Sequence, residues 1–156
     1  MKSPIEQIKD EHQEIERELL ELDTIIESAL SPEKDVNYSN LVHELKKLIS
    51  LWNLHERKES EVIFPALEKR NKFKIPVEKM TFQHSELREH RDKLVKALSQ
   101  GEEKTLEALR EDVPEIIRKL RQHIENEDSI LYTLADDETF SEEETEEINS
   151  ELKNID

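Results

Sequence analysis

Apolar residues recur three and four positions apart along most of the chain, which is the spacing of an amphipathic α-helix. Four such stripes can be followed in the sequence. They run from Ile5 to Ala29, from Leu41 to Ala66, from Val77 to Leu98 and from Leu106 to Leu134. The pattern therefore predicts four long helices, each with one buried face.

Serine, proline and the single glycine mark where these helices are expected to begin and end. Ser3, Pro4 and Glu6 form a capping box that starts the first helix, and Ser31–Pro32 is expected to end it. The remaining signals are Pro65, expected to kink or end the second helix, Pro76 and Gly101, expected at the two ends of the third, and Pro114, where the fourth is expected to bend.

A fifth, shorter helix is predicted at the acidic C-terminus. Ser141 and Glu144 form another capping box, and the few apolar residues that follow, Ile148, Leu152 and Ile155, can cover only one edge of a bundle. We therefore expect an all-α protein, with an antiparallel up-down four-helix bundle over residues 1–136 and a short acidic helix over residues 137–156 packed on it.

Composition narrows the functions that this fold can have. The 156 residues include one glycine, 23 basic and 39 acidic residues, for a net charge of −16. That charge disfavours nucleic-acid and membrane-surface partners. The absence of cysteine excludes disulfides, thiolate-bound zinc and iron–sulfur clusters. No apolar run is long enough to span a membrane and no secretory signal is recognised, so the cytoplasm is the expected location.

Seven positions on the four stripes are not apolar, and six of them carry metal-binding side chains. The seven are His12, His55, Glu59, His84, Arg91, His123 and Glu127. Random placement would put about one of the six histidines on the stripes, whereas four lie there, one in each helix. Arg91 is expected to pair with a surface carboxylate.

The six metal-binding residues are also expected at one height in the bundle. Counted from the predicted helix ends, His12, Glu59, His84 and Glu127 each lie about 12 Å from the same end. Single buried histidines are commonly hydrogen-bonded core residues, but two buried carboxylates without counter-charge are costly unless a cation compensates them. Six nitrogen and oxygen ligands exceed what one tetrahedral zinc needs, so two ions are expected. Iron is favoured, and zinc or manganese remains open.

Four segments of this chain resemble the hemerythrin-like (HHE) cation-binding domain family over about residues 1–136. The segments are Asp10–His12, His55–Glu59, Thr81–Arg88 and His123–Glu127. The resemblance implies a four-helix bundle that holds two iron ions as an oxo- or hydroxo-bridged diiron centre. It also implies a protein that carries, senses or reacts with O2, or that handles iron and nitric oxide.

The resemblance assigns ligand roles to individual residues. The histidine ligands would be His12, His55, His84 and His123, and Glu59 would be a bridging carboxylate. The second bridging carboxylate is Glu127 or Asp128; Glu127 is favoured because Asp128 is rotated about 100° off the stripe. Glu56 stands where some iron-sensing relatives have an additional ligand. Arg88 stands where oxygen carriers have a fifth histidine, which disfavours O2 carriage.

Three functions are compatible with these residues. The first is a diiron protein that binds or senses O2, with Trp52 either lining the ligand pocket or packing as an ordinary core residue. The second is an iron-handling or nitric-oxide or peroxide stress protein that uses the same site. The third is a scaffold with a structural ion. A metal- and O2-binding protein is favoured over a dedicated enzyme, its ligand being O2 or another small diatomic or peroxide molecule.

Overall fold

A computed structural model describes residues 2–29, 31, 37–136 and 138–155. In this part of the chain all regular structure is helical, as the stripes predict. The α-helices are α1 (Pro4–Ala29), α2 (Tyr38–Lys58), α3 (Phe64–Glu68), α4 (Lys74–Ser99), α5 (Glu102–Glu111), α6 (Val113–Asn126) and α7 (Glu142–Lys153). A 3-10 turn covers Asn71–Phe73, and π-helical segments cover Glu59–Ile63 and Glu127–Leu131. None of the described helices is long and apolar enough to cross a membrane.

The predicted capping signals are found at both ends of the chain. The Ser3 hydroxyl accepts a hydrogen bond from the backbone N–H of Glu6 at 3.1 Å. Ser141 and Glu144 form the complete reciprocal capping box at the start of α7. The first helix ends at Ala29, and the predicted stop at Pro32 lies outside the described residues.

The third long helix starts two residues earlier than its proline predicts. Helix α4 begins at Lys74, so Pro76 lies within its first turn, where a missing N–H leaves no helical hydrogen bond unmade. The helix ends at Ser99, and Gly101 follows with a φ of 101°, a backbone conformation that favours glycine. Gly101 thus ends this stretch as predicted.

Two π-helical segments change which residues face the core. In each, a backbone hydrogen bond spans five residues instead of the usual four, which widens the turn. In the second segment, for example, the backbone N–H of Tyr132 bonds to the carbonyl of Glu127 at 2.8 Å. The extra residue in that turn rotates the chain beyond it. Leu131 and Ala135 are therefore buried, whereas Ile130 and Leu134 are 42% and 41% exposed. The prediction that Ile130 and Leu134 lie on the buried stripe was wrong for this reason.

The two internal prolines do not act alike. Pro65 does not end the helical stretch, because the π segment Glu59–Ile63 precedes it and leads directly into α3. At Pro114 a bend was predicted, but the structure has a break between two helices. Helix α5 ends at Glu111 and α6 begins at Val113, with the proline in the first turn of α6. Prolines at the first turn of a helix are well tolerated.

The apolar core is divided into two clusters, with a polar layer between them. The large cluster contains residues from Ile15 to Ile26 of α1 together with parts of α2, α4, α5 and α6. The terminal cluster contains Ile5 and Ile8 of α1 together with parts of α3, α4 and the two π segments. On α1, His12 lies between the two clusters. The polar layer is therefore covered by apolar side chains on both sides.

Helix α7 closes the terminal cluster. Its apolar residues Ile148 and Leu152 are buried there. The contact also includes a hydrogen bond from the Gln7 side-chain amide to Asn149 at 2.7 Å, and an ion pair between Arg70 and Glu144 at 2.8 Å. The C-terminal helix thus contributes to the core beside the polar layer.

Candidate metal centre

Six ligand-type side chains from four helical stretches converge in the polar layer. One group consists of His12, His55, Glu59 and Glu127, and the other of Glu59, His84, His123 and Glu127. Within each group the potential ligand atoms all lie within 4.8 Å of one another. All six residues are buried, and the two glutamates are 0% exposed. Both glutamates belong to both groups, so together they connect two four-residue ligand sets.

The local backbone explains why the glutamates reach the centre. His55 and Glu59 are four residues apart, as are His123 and Glu127, so each pair shares one helix face. Each π segment begins at its glutamate. Such widened turns occur frequently at functional sites. The stripe predicts the placement of these residues, but the π geometry was not predicted.

All four histidines direct Nε2 toward the glutamates. Nε2 of His55 and Nε2 of His84 lie 3.0 and 3.2 Å from Glu59 Oε1. Nε2 of His12 and Nε2 of His123 lie 3.1 and 3.2 Å from Glu127 Oε1. Each glutamate is therefore approached by histidines from two helices.

Several of these close atoms make no hydrogen bond. The buried atoms without a hydrogen-bond partner include His55 Nε2, Glu59 Oε1, His123 Nε2 and Glu127 Oε2. His55 Nε2 and Glu59 Oε1 are only 3.0 Å apart, yet they are not aligned as donor and acceptor. Buried polar atoms left unpaired are costly. Because they converge on common points, bound cations would satisfy them, and imidazole with carboxylate ligands suits iron, manganese or zinc.

The charges of the layer depend on one another. Burial lowers the pKa of His84, but the close approach of the Glu127 and Glu59 carboxylates outweighs it and raises the value to about 10. Burial likewise lowers the pKa of His12, but bonds with Asp128 and Glu127 raise it to about 9. For Glu127, burial raises the pKa, but His123 and His12 bring it well below its usual value. Without metal, protons on His12 and His84 thus balance the negative charge of the two glutamates.

The opposite ring nitrogen, Nδ1, of each histidine also has a partner. Asp128 contacts His12 at 2.8 Å and Glu11 contacts His55 at 3.0 Å. The other two contacts are Ser60 with His84 at 3.1 Å and Gln83 with His123 at 2.7 Å. Such outer contacts orient a metal-binding imidazole. Glu127 faces the centre and Asp128 does not, in agreement with the position of Glu127 on the apolar stripe.

Sequence reasoning assigned no role to Glu11, Ser60, Gln83 or Tyr132. The buried Tyr132 donates a hydrogen bond to Glu59 Oε2 at 2.5 Å. Burial and the charges of Glu59 and Glu127 raise the pKa of Tyr132 well above its usual value, so the phenol keeps its proton. Glu11, Ser60 and Gln83 directly adjoin His12, Glu59 and His84 in the sequence, which is the only signal that could have identified them.

Glu56 is buried near the layer but is not brought into it. One of its oxygens accepts from Arg88 Nε at 3.0 Å, and the other pairs with Arg91. Arg91 therefore pairs with a carboxylate that is 4% exposed rather than with a surface carboxylate, which corrects the expectation for this residue. The Arg91 guanidinium also lies 5.4 Å from the ring centre of Trp52, and Trp52 packs in the large cluster.

The two histidines off the stripes lie outside both ligand groups. His43 is exposed, and His90 Nε2 lies 3.3 Å from Lys119 Nζ. His90 does not substitute for a fifth histidine, as its position in the helix predicts. Among the described residues, four histidines enter the two ligand groups.

Surface pockets reach both halves of the layer. One of about 610 Å³ is lined by His12 and Asp128, among others. Another of about 160 Å³ is lined by Gln83 and His123, among others. Each pocket also includes one residue of the large apolar cluster, Ile124 in the first and Leu87 in the second. Small molecules therefore have surface openings at both edges of the layer.

Comparison with known proteins gives one match. The family model of the hemerythrin HHE cation binding domain matches residues 3–135, which include all six residues of the layer. Searches of curated proteins and of solved structures found no match. The family match agrees with the buried His and Glu cluster, which has the ligand types and spacing to hold a metal. The chain therefore belongs to the hemerythrin HHE cation-binding domain family.

Proposed function

We propose that this protein holds two iron ions in the polar layer and uses them to bind or sense O2. The observation that carries the proposal is the sharing of Glu59 and Glu127 between two ligand groups. His12 and His55 would complete one metal position, and His84 and His123 the other. The two glutamates would bridge them.

The donor set supports iron as the favoured ion. The ligand atoms are imidazole nitrogens and carboxylate oxygens, which suit iron and manganese as well as zinc. Two carboxylates shared between neighbouring positions compensate the repulsion of two close divalent cations. A ferrous pair, when bound, supplies the electrons that O2 chemistry needs, which zinc does not.

The chain's own residues prepare the site for a small apolar ligand. The two apolar clusters cover the layer on either side, so small molecules reach it from its edges. Tyr132 holds Glu59 in position and keeps its proton on the phenol oxygen. The terminal cluster contains the starts of the first and third helical stretches and the ends of the second and fourth, which supports the antiparallel up-down arrangement.

Optical spectroscopy of anaerobically Fe(II)-loaded protein tests the proposal. We expect a visible charge-transfer band on exposure to air. Its loss under argon would indicate reversible binding, whereas decay to a plain ferric spectrum would indicate sensing or redox chemistry. Glu127→Gln should abolish the band, and Glu125→Gln, a matched change at an exposed position of the same helix, should not. An unchanged spectrum in air would contradict the proposal.

A second candidate function is iron handling or a response to nitric oxide or peroxide. It is favoured by Arg88, which stands where a fifth histidine is expected in oxygen carriers and which pairs with Glu56 instead. A site with four histidines and two carboxylates is rich in oxygen ligands. We expect this function to show as rapid iron loss to a weak chelator, or as turnover with nitric oxide or peroxide. A site inert to all three would exclude it.

A further inference from the structure

The two halves of the polar layer are alike in their inner ligands but differ in their outer contacts. In the half formed by His12 and His55, both Nδ1 atoms face carboxylates, Asp128 at 2.8 Å and Glu11 at 3.0 Å. In the half formed by His84 and His123, both face neutral groups, the Ser60 hydroxyl at 3.1 Å and the Gln83 amide oxygen at 2.7 Å. The outer charge is thus confined to one half.

These four outer residues occupy matching positions in the chain. Glu11 and Gln83 each precede one histidine of the layer and contact the histidine of a neighbouring helix. Asp128 and Ser60 each follow a central glutamate and contact the histidine of another helix. Each carboxylate in one half therefore has a neutral counterpart at the equivalent place in the other. The outer residues of one half can therefore be exchanged by mutation for those found at the equivalent positions of the other half.

The outer contact affects how strongly a histidine binds a metal. When Nε2 is the ligand, the ring hydrogen is on Nδ1 and is donated to the outer partner. A carboxylate acceptor draws that hydrogen more strongly than a neutral oxygen does, because the bond is charge-assisted. The imidazole then has more electron density at Nε2. It becomes a stronger ligand and better stabilises a more highly charged ion.

We propose that the two metal positions are unequal, with the His12/His55 position binding its ion more tightly than the His84/His123 position. This inference rests on the proposed dinuclear function. Asp128 and Glu11 act as positioning residues through the histidines. Glu11 is itself held by Lys58, whose Nζ lies 2.7 Å from its second oxygen. The His84/His123 position is then the one that loses its metal first, and the one that remains ferrous longer during oxidation.

Anaerobic titration of the metal-free protein with Co²⁺, in competition with a chelator, measures the two stepwise dissociation constants. Wild-type protein should bind two equivalents in separate steps. Because repulsion between the two ions also separates the steps, the inference is tested by how the variants shift each constant. Glu11→Gln with Asp128→Ser should weaken the tighter step by about 10- to 100-fold. The visible Co²⁺ spectrum of the first equivalent should change with it.

The reverse exchange gives the decisive result. Gln83→Glu with Ser60→Asp should strengthen the weaker step by about 10- to 100-fold and bring the two constants together. A gain in affinity does not arise from misfolding. Equal constants in the wild-type protein, or no gain in the reverse exchange, would overturn the inference while leaving two bound ions in place. Binding of fewer than two ions would instead overturn the dinuclear proposal on which it rests.

Discussion

The second long helical stretch contains two buried carboxylates that differ in their counter-charges. Glu56 is 4% exposed and contacts two arginines, Arg88 and Arg91. Glu59, three residues later, is 0% exposed, and its polar contacts within the described part of the chain are with histidines and a tyrosine. The first carboxylate is compensated by permanent positive charge of the protein. The second is compensated only if the histidines carry protons or if a metal is present.

This difference separates a structural carboxylate from a candidate ligand. A buried carboxylate paired with arginine has its charge and hydrogen bonds satisfied within the chain. Glu59 retains an unpartnered oxygen, and so does Glu127. Burial alone therefore does not identify a metal ligand. Burial with unpartnered atoms that converge with histidine nitrogens defines a candidate metal ligand.

Metal removal should lower the stability of the protein most, and it should act on the Glu59 layer rather than on the Glu56 pair. Because bound metal would compensate the layer but not the Glu56 pair, chelation should destabilise the protein through the layer alone. We expect a loss of about 4 kcal/mol for each position when the free metal is a thousand times its Kd. Thermal unfolding with and without metal measures the change. Equal stability in the two states would contradict a metal-binding role for the layer.

Substitution of Arg91 should cause the next largest loss of stability, and it should act through Glu56. Arg91→Met leaves Glu56 buried with one arginine, and breaking a buried pair in this way costs about 3–5 kcal/mol. The loss should lie toward the lower end because Arg88 remains. Urea denaturation measures it, and metal analysis should show an unchanged metal content.

Arg88 provides the control for this experiment. Its side chain is 50% exposed, so Arg88→Met should cost less than about 1 kcal/mol. Replacing Glu56 by leucine in the Arg91→Met background should recover most of the stability, because no unpaired charge remains. A loss of metal in Arg91→Met would instead mean that the two carboxylates are not independent.

Helix register explains how much of this site could be predicted from the sequence. The stripes place His12, His55, His84 and His123 on buried faces. A constant rise per residue puts His12 and His84 level with the two central glutamates, and His55 and His123 one turn further in. That reasoning fails wherever the helix departs from regular geometry. Pro65 gives some signal for the first π segment, but no proline accompanies the second, so the burial of Leu131 in place of Ile130 could not be predicted.

Long-range pairs were the other part that sequence could not supply. Glu56 and Arg91 are 35 residues apart, and Glu56 is not on a stripe, so nothing in the pattern connects them. The outer contacts of the histidines likewise join residues of different helices. Their partners depend on the rotation of each helix about its axis, which periodicity determines only to within a fraction of a turn.

Removal of the Tyr132 hydroxyl should have a smaller effect, confined to Glu59. Tyr132→Phe removes a buried hydrogen bond to a carboxylate, worth about 1.5–3 kcal/mol. Two metal ions should still bind, because the tyrosine is not in either ligand group. Denaturation and metal analysis of the variant test both statements. Loss of one equivalent of metal would mean that the phenol is required to hold Glu59 in its bridging position.

The last effect, and the one that distinguishes the compensating charges, is the pH dependence of the free energy of unfolding. In the metal-free protein the pKa values of His12 and His84 are raised to about 9 and about 10. Raised histidine pKa values stabilise the folded state fully below about pH 6.5, and this contribution is lost as the pH rises toward 9 and 10. Metal-free protein should therefore become less stable over that interval.

Metal-loaded protein should show the opposite slope, because protons compete with metal for Nε2 and metal binding strengthens as the pH rises. Urea midpoints measured at intervals between about pH 6 and 10 for both forms test this. The Glu56 pair should contribute to neither slope, since arginine keeps its charge throughout. Parallel slopes in the two forms would mean that the histidines do not exchange protons for metal, and the distinction between the two buried carboxylates would no longer hold.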